Sequence, residues 1–201
     1  MPYYWTVAVN IVLIGLSGSG KSTVGKLLAR LLDWEFVDTD KMVEQASGRR
    51  IHQIFAESGE SAFRRLESEA VFDALDGDRR VIAVGGGAVV DSVNRQAIVD
   101  RSLVVLLEAG VDTLIARLSR DAVEEPRPML VSNDPKARLL ALKGYRDPIY
   151  RSMASIVVST EGLDVEQVAS CIVRQAEDLL LQRDNHSRNR ALRRDDETVS
   201  C

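Results

Sequence analysis

A chain of 201 residues, 45% hydrophobic and 28% charged, has the make-up of one globular domain with a sizeable core. Its formal net charge of −4 argues against a general binder of nucleic acid or of anionic membranes, so an anionic ligand must meet a local cluster of Lys and Arg. Two cysteines, Cys171 and Cys201, build no disulfide framework, and no segment approaches the ~20 apolar residues of a membrane span, so the sequence reads as cytoplasmic.

Residues 1–6 form a short lead-in. The apolar stretch Val7 to Leu16 lacks the basic residues of a signal peptide and runs straight into a glycine loop. Within it, Val9 to Ile14 has the β-branched character of a buried parallel strand. Gly15-Leu16-Ser17-Gly18-Ser19-Gly20-Lys21-Ser22 then fits G-x-x-x-x-G-K-[ST], and Val24, Leu27, Leu28, Leu31 and Leu32 recur at helical spacing. Strand, glycine loop and helix together make a phosphate site. The glycines let backbone N–H groups turn onto an anion, and the helix aims its positive end at the same point. Lys21 would reach the β- and γ-phosphates, and the Ser22 hydroxyl would ligate Mg²⁺. A nucleoside triphosphate is the expected ligand.

A second strand is expected over Trp34–Val37, leading into Asp38-Thr39-Asp40, then a short helix from Met42 to Ser47 stopped by Gly48. Ile51–Glu57 reads as a short amphipathic turn. A longer helix follows over Glu60–Leu75, with Phe63, Leu66, Ala70 and Leu75 roughly on one side. Val81 to Val84 is a third strand entering Gly85-Gly86-Gly87, Asp91 starts a helix reaching Val99, and Leu103–Leu107 and Val111–Leu118 give a fourth strand and a further helix. Ser119–Asn133, with Pro126 and Pro128 and few apolar residues, reads as a long mobile lid. Asp134-Pro135 caps a helix expected to run towards Tyr145 and falter before Pro148. Ile156–Ser159 is a fifth strand, and Asp164 with Gln167 opens a last helix striped by Val168, Ile172, Ala176 and Leu179. Residues 183–201, polar and carrying five Arg, read as a disordered tail behind a single domain over 1–182. Strands alternating with helices predict an α/β fold: a five-stranded parallel sheet in three layers, with a lid near 119–133.

Four features beyond the loop speak to the phosphoryl acceptor. Asp38 and Asp40, two apart on an extended segment, would face similar directions beside the phosphates, suited to a water-bridged Mg²⁺ and to orienting a hydroxyl. Arg64 and Arg65, taken alone, read as a charged solvent face paired with Glu67 or Glu69. Three glycines after a buried strand suggest backbone closely approaching a ligand. Arg117, Arg127 and Arg146 gain interest only from lying near or inside the lid.

In combination these residues resemble the shikimate kinases: the loop through Thr23, Asp38-Thr39-Asp40, Phe63-Arg64-Arg65, Val84-Gly85-Gly86-Gly87, Arg127-Pro128-Met129-Leu130 and Tyr145 to Tyr150, in order between about Asn10 and Leu181. Met129 stands where that family usually has Leu, a conservative difference. The resemblance implies ATP, Mg²⁺ and shikimate as ligands and a monomer. Gly18, Ser19, Gly20, Lys21, Ser22 and Thr23 would hold the phosphates, with Ser22 and Asp38 serving the metal. Asp40 would hold the ring hydroxyls, including the attacking one, while Arg64 and Arg146 clamp the carboxylate and Gly85, Gly86 and Gly87 line the pocket. Arg127 would close over the transferring phosphate, and Arg117 would stack on adenine. Two other readings remain: a related hydroxyl kinase such as gluconate kinase, and a nucleotide-binding switch that phosphorylates no metabolite. The first has less use for two arginines converging on a rigid ring acid; the second would leave Asp40, Arg64 and Arg146 unconnected.

Overall fold

The computed structural model describes residues 9–121, 134–179 and 181. Five parallel strands stand in the order β2-β3-β1-β4-β5: β1 Asn10–Ile14, β2 Glu35–Asp38, β3 Arg80–Ala83, β4 Ser102–Glu108 and β5 Ile156–Ser159. The central strand β1 pairs Val12 with Ile82 on one side and with Val104 on the other. Strand alternation then splits the core into two layers. Val12, Ile14, Ile82, Val104 and Leu106 face one layer with Leu114, Leu118, Leu139 and Tyr150, whereas Ile11, Leu13, Val81, Leu103 and Val105 face Val24, Leu28, Val168 and Ile172 in the other.

The helices are α1 Lys21–Leu32, α2 Thr39–Ser47, α3 Ile51–Leu75, α4 Ser92–Arg101, α5 Val111–Asp121, α6 Pro135–Met153 and α7 over 165–179. The predicted caps form. Asp91 accepts from Val93 N–H and Asn94 N–H, Asp134 accepts from Ala137 N–H, and Asp164 and Gln167 bond reciprocally. Beyond the sheet edge at β2, α2 and α3 enclose a small core of Val43, Ile54, Phe63 and Ala70.

Three expectations differ from the fold. Ile51–Glu57 is a full helical segment rather than a turn. It is continuous with the helix after it except at Gly59, whose φ of 78° breaks the helical path. Helix α6 does not falter before Pro148 but runs to Met153. The proline costs the bond to the carbonyl four residues back, on Gly144, which is exposed and so reaches water, while Tyr150 and Met153 further along are buried and hold the last turns to the core. Helix α5 also extends through Ser119 to Asp121, so the expected lid begins in helix. The rest of the lid, with Arg127, and the expected tail at 183–201 lie outside the described residues.

Candidate active site

The loop after β1 wraps the N-terminus of α1. Gly15, Gly18 and Gly20 have φ values of 138°, 82° and 95°, which side-chain-bearing residues rarely adopt. A Cβ on Gly15 would also collide with the Leu107 carbonyl. Ser19 is buried, Thr23 is exposed in the first turn of α1, and Gly18 packs on Leu114 and Leu118 of α5. Lys21 Nζ donates to the carbonyls of Gly15 (2.9 Å) and Leu16 (3.0 Å), which folds it over the mouth of the loop. Ser22 Oγ donates to Asp38 Oδ2 at 2.7 Å. A hydroxyl and a carboxylate, both hard oxygen donors, therefore meet beside the phosphate loop.

Asp38 and Asp40 are not two members of one extended segment. Asp38 ends β2 and caps α2, accepting from Asp40 N–H at 3.2 Å and Lys41 N–H at 3.4 Å, and Asp40 lies in the first helical turn. The change of backbone sends the two carboxylates to different duties. That of Asp38 meets Ser22, whereas that of Asp40 lies against Gly85, where a Cβ would stand 2.6 Å from Asp40 Oδ1 and 2.9 Å from Glu67 Oε1. Thr39 between them is fully buried, and its Oγ1 accepts from Gly85 N–H at 3.1 Å, tying the start of α2 to the glycine run.

The glycine run follows β3 at the carboxyl edge of the sheet. A Cβ on Gly87 would stand 2.5 Å from Arg64 Nη1, and one on Gly86 would stand 3.6 Å from Arg146 Nη1 and 3.3 Å from the Gly15 carbonyl oxygen. The acid-binding candidates and the phosphate loop therefore share a wall. Tyr150 donates from its hydroxyl to the Gly86 carbonyl at 2.6 Å, which locks α6, and with it Arg146, against the run. Burial pushes the Tyr150 hydroxyl up to about 12, with Arg146 nearby pulling the other way, so the phenol stays a donor at working pH.

At the centre lies Glu67, only 2% exposed. It accepts from Arg64 Nη1 at 2.6 Å, while Arg64 Nε and Nη2 donate outward to the exposed Glu60 at 3.2 and 3.0 Å. Burial raises the Glu67 carboxyl above its ordinary value; Arg64 and Arg146 oppose that rise and the Asp40 charge adds to it. One buried carboxylate thus feels both arginines and the aspartate at once. The pairing of Arg64 with Glu67 is real, but it is interior rather than a solvent face. The sequence carried the sign of it, because Phe63, Glu67, Ala70 and Ala74 fall at helical spacing on the buried side of α3. Thr39 and Tyr150 escaped for a different reason: neither hydroxyl matters until the fold brings it to a glycine.

On the far side of the phosphate loop, Arg117 of α5 donates through Nη1 to Thr160 Oγ1 and through Nη2 to the Thr160 carbonyl, both at 2.8 Å, and reaches the Gly18 carbonyl at 3.4 Å. Among the described residues no group of three or more His, Cys, Asp or Glu is placed to hold a metal, and no helix is long and apolar enough to cross a membrane.

Comparison with known proteins gives the family. A family model described as shikimate kinase matches residues 17–177. The shikimate kinase of Symbiobacterium thermophilum is 42% identical over 170 residues, covering 85% of this chain and 97% of its own. The structure of shikimate kinase from Acinetobacter baumannii in complex with shikimate superposes with a TM-score of 0.80 at 34% identity, covering 88% of this chain and 95% of that one. A gluconokinase from Sinorhizobium meliloti shares the fold at a TM-score of 0.55 but only 16% identity, over 87% of this chain and 97% of its own. With a family model spanning most of its length and a close relative matched almost end to end, this chain belongs to the shikimate kinase family.

Proposed function

We propose that this chain transfers the γ-phosphoryl group of ATP to the 3-hydroxyl of shikimate, releasing ADP and shikimate 3-phosphate. The observation that carries the reading is the shared wall at Gly86, with the phosphate loop on one side and Arg146, Arg64 and Asp40 gathered on the other. A gluconate-type acceptor, an open-chain acid, would make poor use of two guanidinium groups fixed around one rigid pocket, and a switch module would have no use for the pocket at all.

Backbone N–H groups of the loop, with Gly18, Ser19, Gly20 and Thr23, cradle the phosphates. Lys21 exchanges the loop carbonyls for phosphate oxygens, and Ser22 and Asp38 fit Mg²⁺. That ion keeps much of its water and takes further oxygens from phosphate, so one hydroxyl and one carboxylate are a sufficient protein share. Mg²⁺, when bound, offsets negative charge on the phosphoryl oxygens. Arg64 and Arg146 receive the substrate carboxylate, for which guanidinium forks are well shaped and permanently charged. The buried Nε of Arg146 has no hydrogen-bond partner among the described residues. Arg127 is assigned by the resemblance to the transferring phosphate, and Arg117 to the adenine.

Asp40 orients the hydroxyl rather than ionising it. An alcohol with a pKa near that of water, ~16, lies roughly 12 units above an ordinary aspartate, so full deprotonation before attack would cost about 16 kcal/mol. A loose phosphoryl-transfer transition state needs little activation of its nucleophile, so the proton passes to Asp40 late. The protein works as a monomer in the cytoplasm on a small-molecule substrate, without nucleic acid or membrane, residues 1–182 being the catalytic unit. A coupled ADP-release assay over a panel of hydroxy acids tests the proposal. Turnover is expected on shikimate and not on gluconate; ADP release that ignores the presence of shikimate would refute it.

A further inference from the structure

The connection between β5 and α7 carries a second set of contacts beside the nucleotide end of the phosphate loop. Thr160 is buried, its N–H donates to the Glu108 carbonyl at 2.8 Å, and its hydroxyl and carbonyl both receive Arg117. The next residue, Glu161, reaches across to the start of α5. One carboxylate oxygen accepts from Gly110 N–H at 2.8 Å and the other accepts from the Thr113 hydroxyl. These two donors hold its carboxyl below the ordinary glutamate range, so an anion sits at the positive end of α5. A carboxylate that caps a helix from another element is a fastening between the two. Here it joins the helix that carries Arg117 to the segment that receives Arg117.

We infer that Glu161 is a positioning residue for the nucleotide: by clasping the segment that holds Thr160 to the first turn of α5, it fixes the Arg117 guanidinium beside Gly18, where the proposed function puts the base of a bound nucleotide. The inference rests on the proposed kinase reading for the identity of the nucleotide, but not on the acceptor. Without the clasp, Arg117 and Thr160 still meet, on elements free to shift relative to one another. Base contact then has to be organised at the moment of binding, which weakens nucleotide affinity and leaves the acceptor pocket alone.

The test compares Glu161→Ala, Glu161→Gln and Thr113→Val with the parent enzyme. ADP affinity is measured by calorimetry without acceptor, and the two Michaelis constants by coupled ADP release. Glu161→Ala should weaken ADP about five- to tenfold and raise KM for ATP in step, with KM for shikimate unmoved. Glu161→Gln, which keeps one acceptor oxygen, and Thr113→Val, which removes one donor, should fall between. Glu166→Gln, an exposed carboxylate on the first turn of α7, should match the parent. An ADP affinity for Glu161→Ala within twofold of the parent would overturn the inference, as would KM values for ATP and shikimate rising together, the mark of general loosening. If the parent enzyme failed to turn over shikimate, the kinase reading would fall while the ADP titration still decided the role of Glu161.

Discussion

Adding one methyl group at Gly85 should disable this enzyme while leaving it folded. The backbone there is not in the left-handed region, so alanine meets no conformational penalty of its own. Its Cβ would stand 2.6 Å from Asp40 Oδ1 and 2.9 Å from Glu67 Oε1, where ordinary contact begins at 3.4 Å. Both carboxylates must therefore give way, Asp40 by about 0.8 Å and Glu67 by about 0.5 Å, their shortfalls from 3.4 Å. Glu67 is buried and tied to Arg64, and the larger of the two shifts falls on Asp40. A displacement of about 1 Å in a reacting geometry costs on the order of 100-fold in rate, while an added methyl in a packed interior costs about 1–3 kcal/mol of stability. Coupled ADP release should show kcat for Gly85→Ala down on the order of 100-fold with KM for ATP close to the parent value, and thermal melting should show a folded protein. A folded variant with kcat within about threefold of the parent would refute the placement of Asp40 at the reacting hydroxyl.

The other predictions concern the same wall and the helices behind it. Arg64→Ala and Arg146→Ala should each raise KM for shikimate by roughly 10- to 150-fold, the loss of a charged hydrogen bond worth about 1.5–3 kcal/mol. ADP affinity, read by calorimetry, should stay near that of the parent in both. Glu67 binds its proton more tightly folded than unfolded, because burial raises its carboxyl. Its contribution to stability is therefore present below the ordinary value of 4.5 and lost as pH rises through the raised folded value. Melting temperatures of Glu67→Gln minus parent should accordingly increase between pH 4 and pH 7, and a flat or falling difference would contradict the sign. Gly144→Ala, in the exposed middle of α6 with nothing within 4 Å of the new methyl, should stabilise the fold by about 0.5–1 kcal/mol in denaturant melts.

What the sequence by itself determined is whatever depends on neighbours along the chain. The phosphate loop follows from glycines at fixed offsets between a β-branched strand and an apolar helical stripe. The caps at Asp91, Asp134 and Asp164 follow from a side chain bonding N–H groups two or three residues away. The five strands and their parallel arrangement follow from the alternation of elements, and the family follows from motifs standing in order. Tertiary structure decided the rest. Local spacing made Asp38 and Asp40 a pair, but the start of α2 divided them, one to Ser22 and one to Gly85. Proline chemistry predicted a break in α6, and the burial of Tyr150 and Met153 overrode it. Arg64 and Glu67 looked like a surface pair until α3 packed and put the carboxylate inside, next to an aspartate and a second arginine. Side-chain charge is written in the sequence, but the dielectric around it and partners such as Asp40 and Arg146 for Glu67 come from other segments, and only folding brings those together.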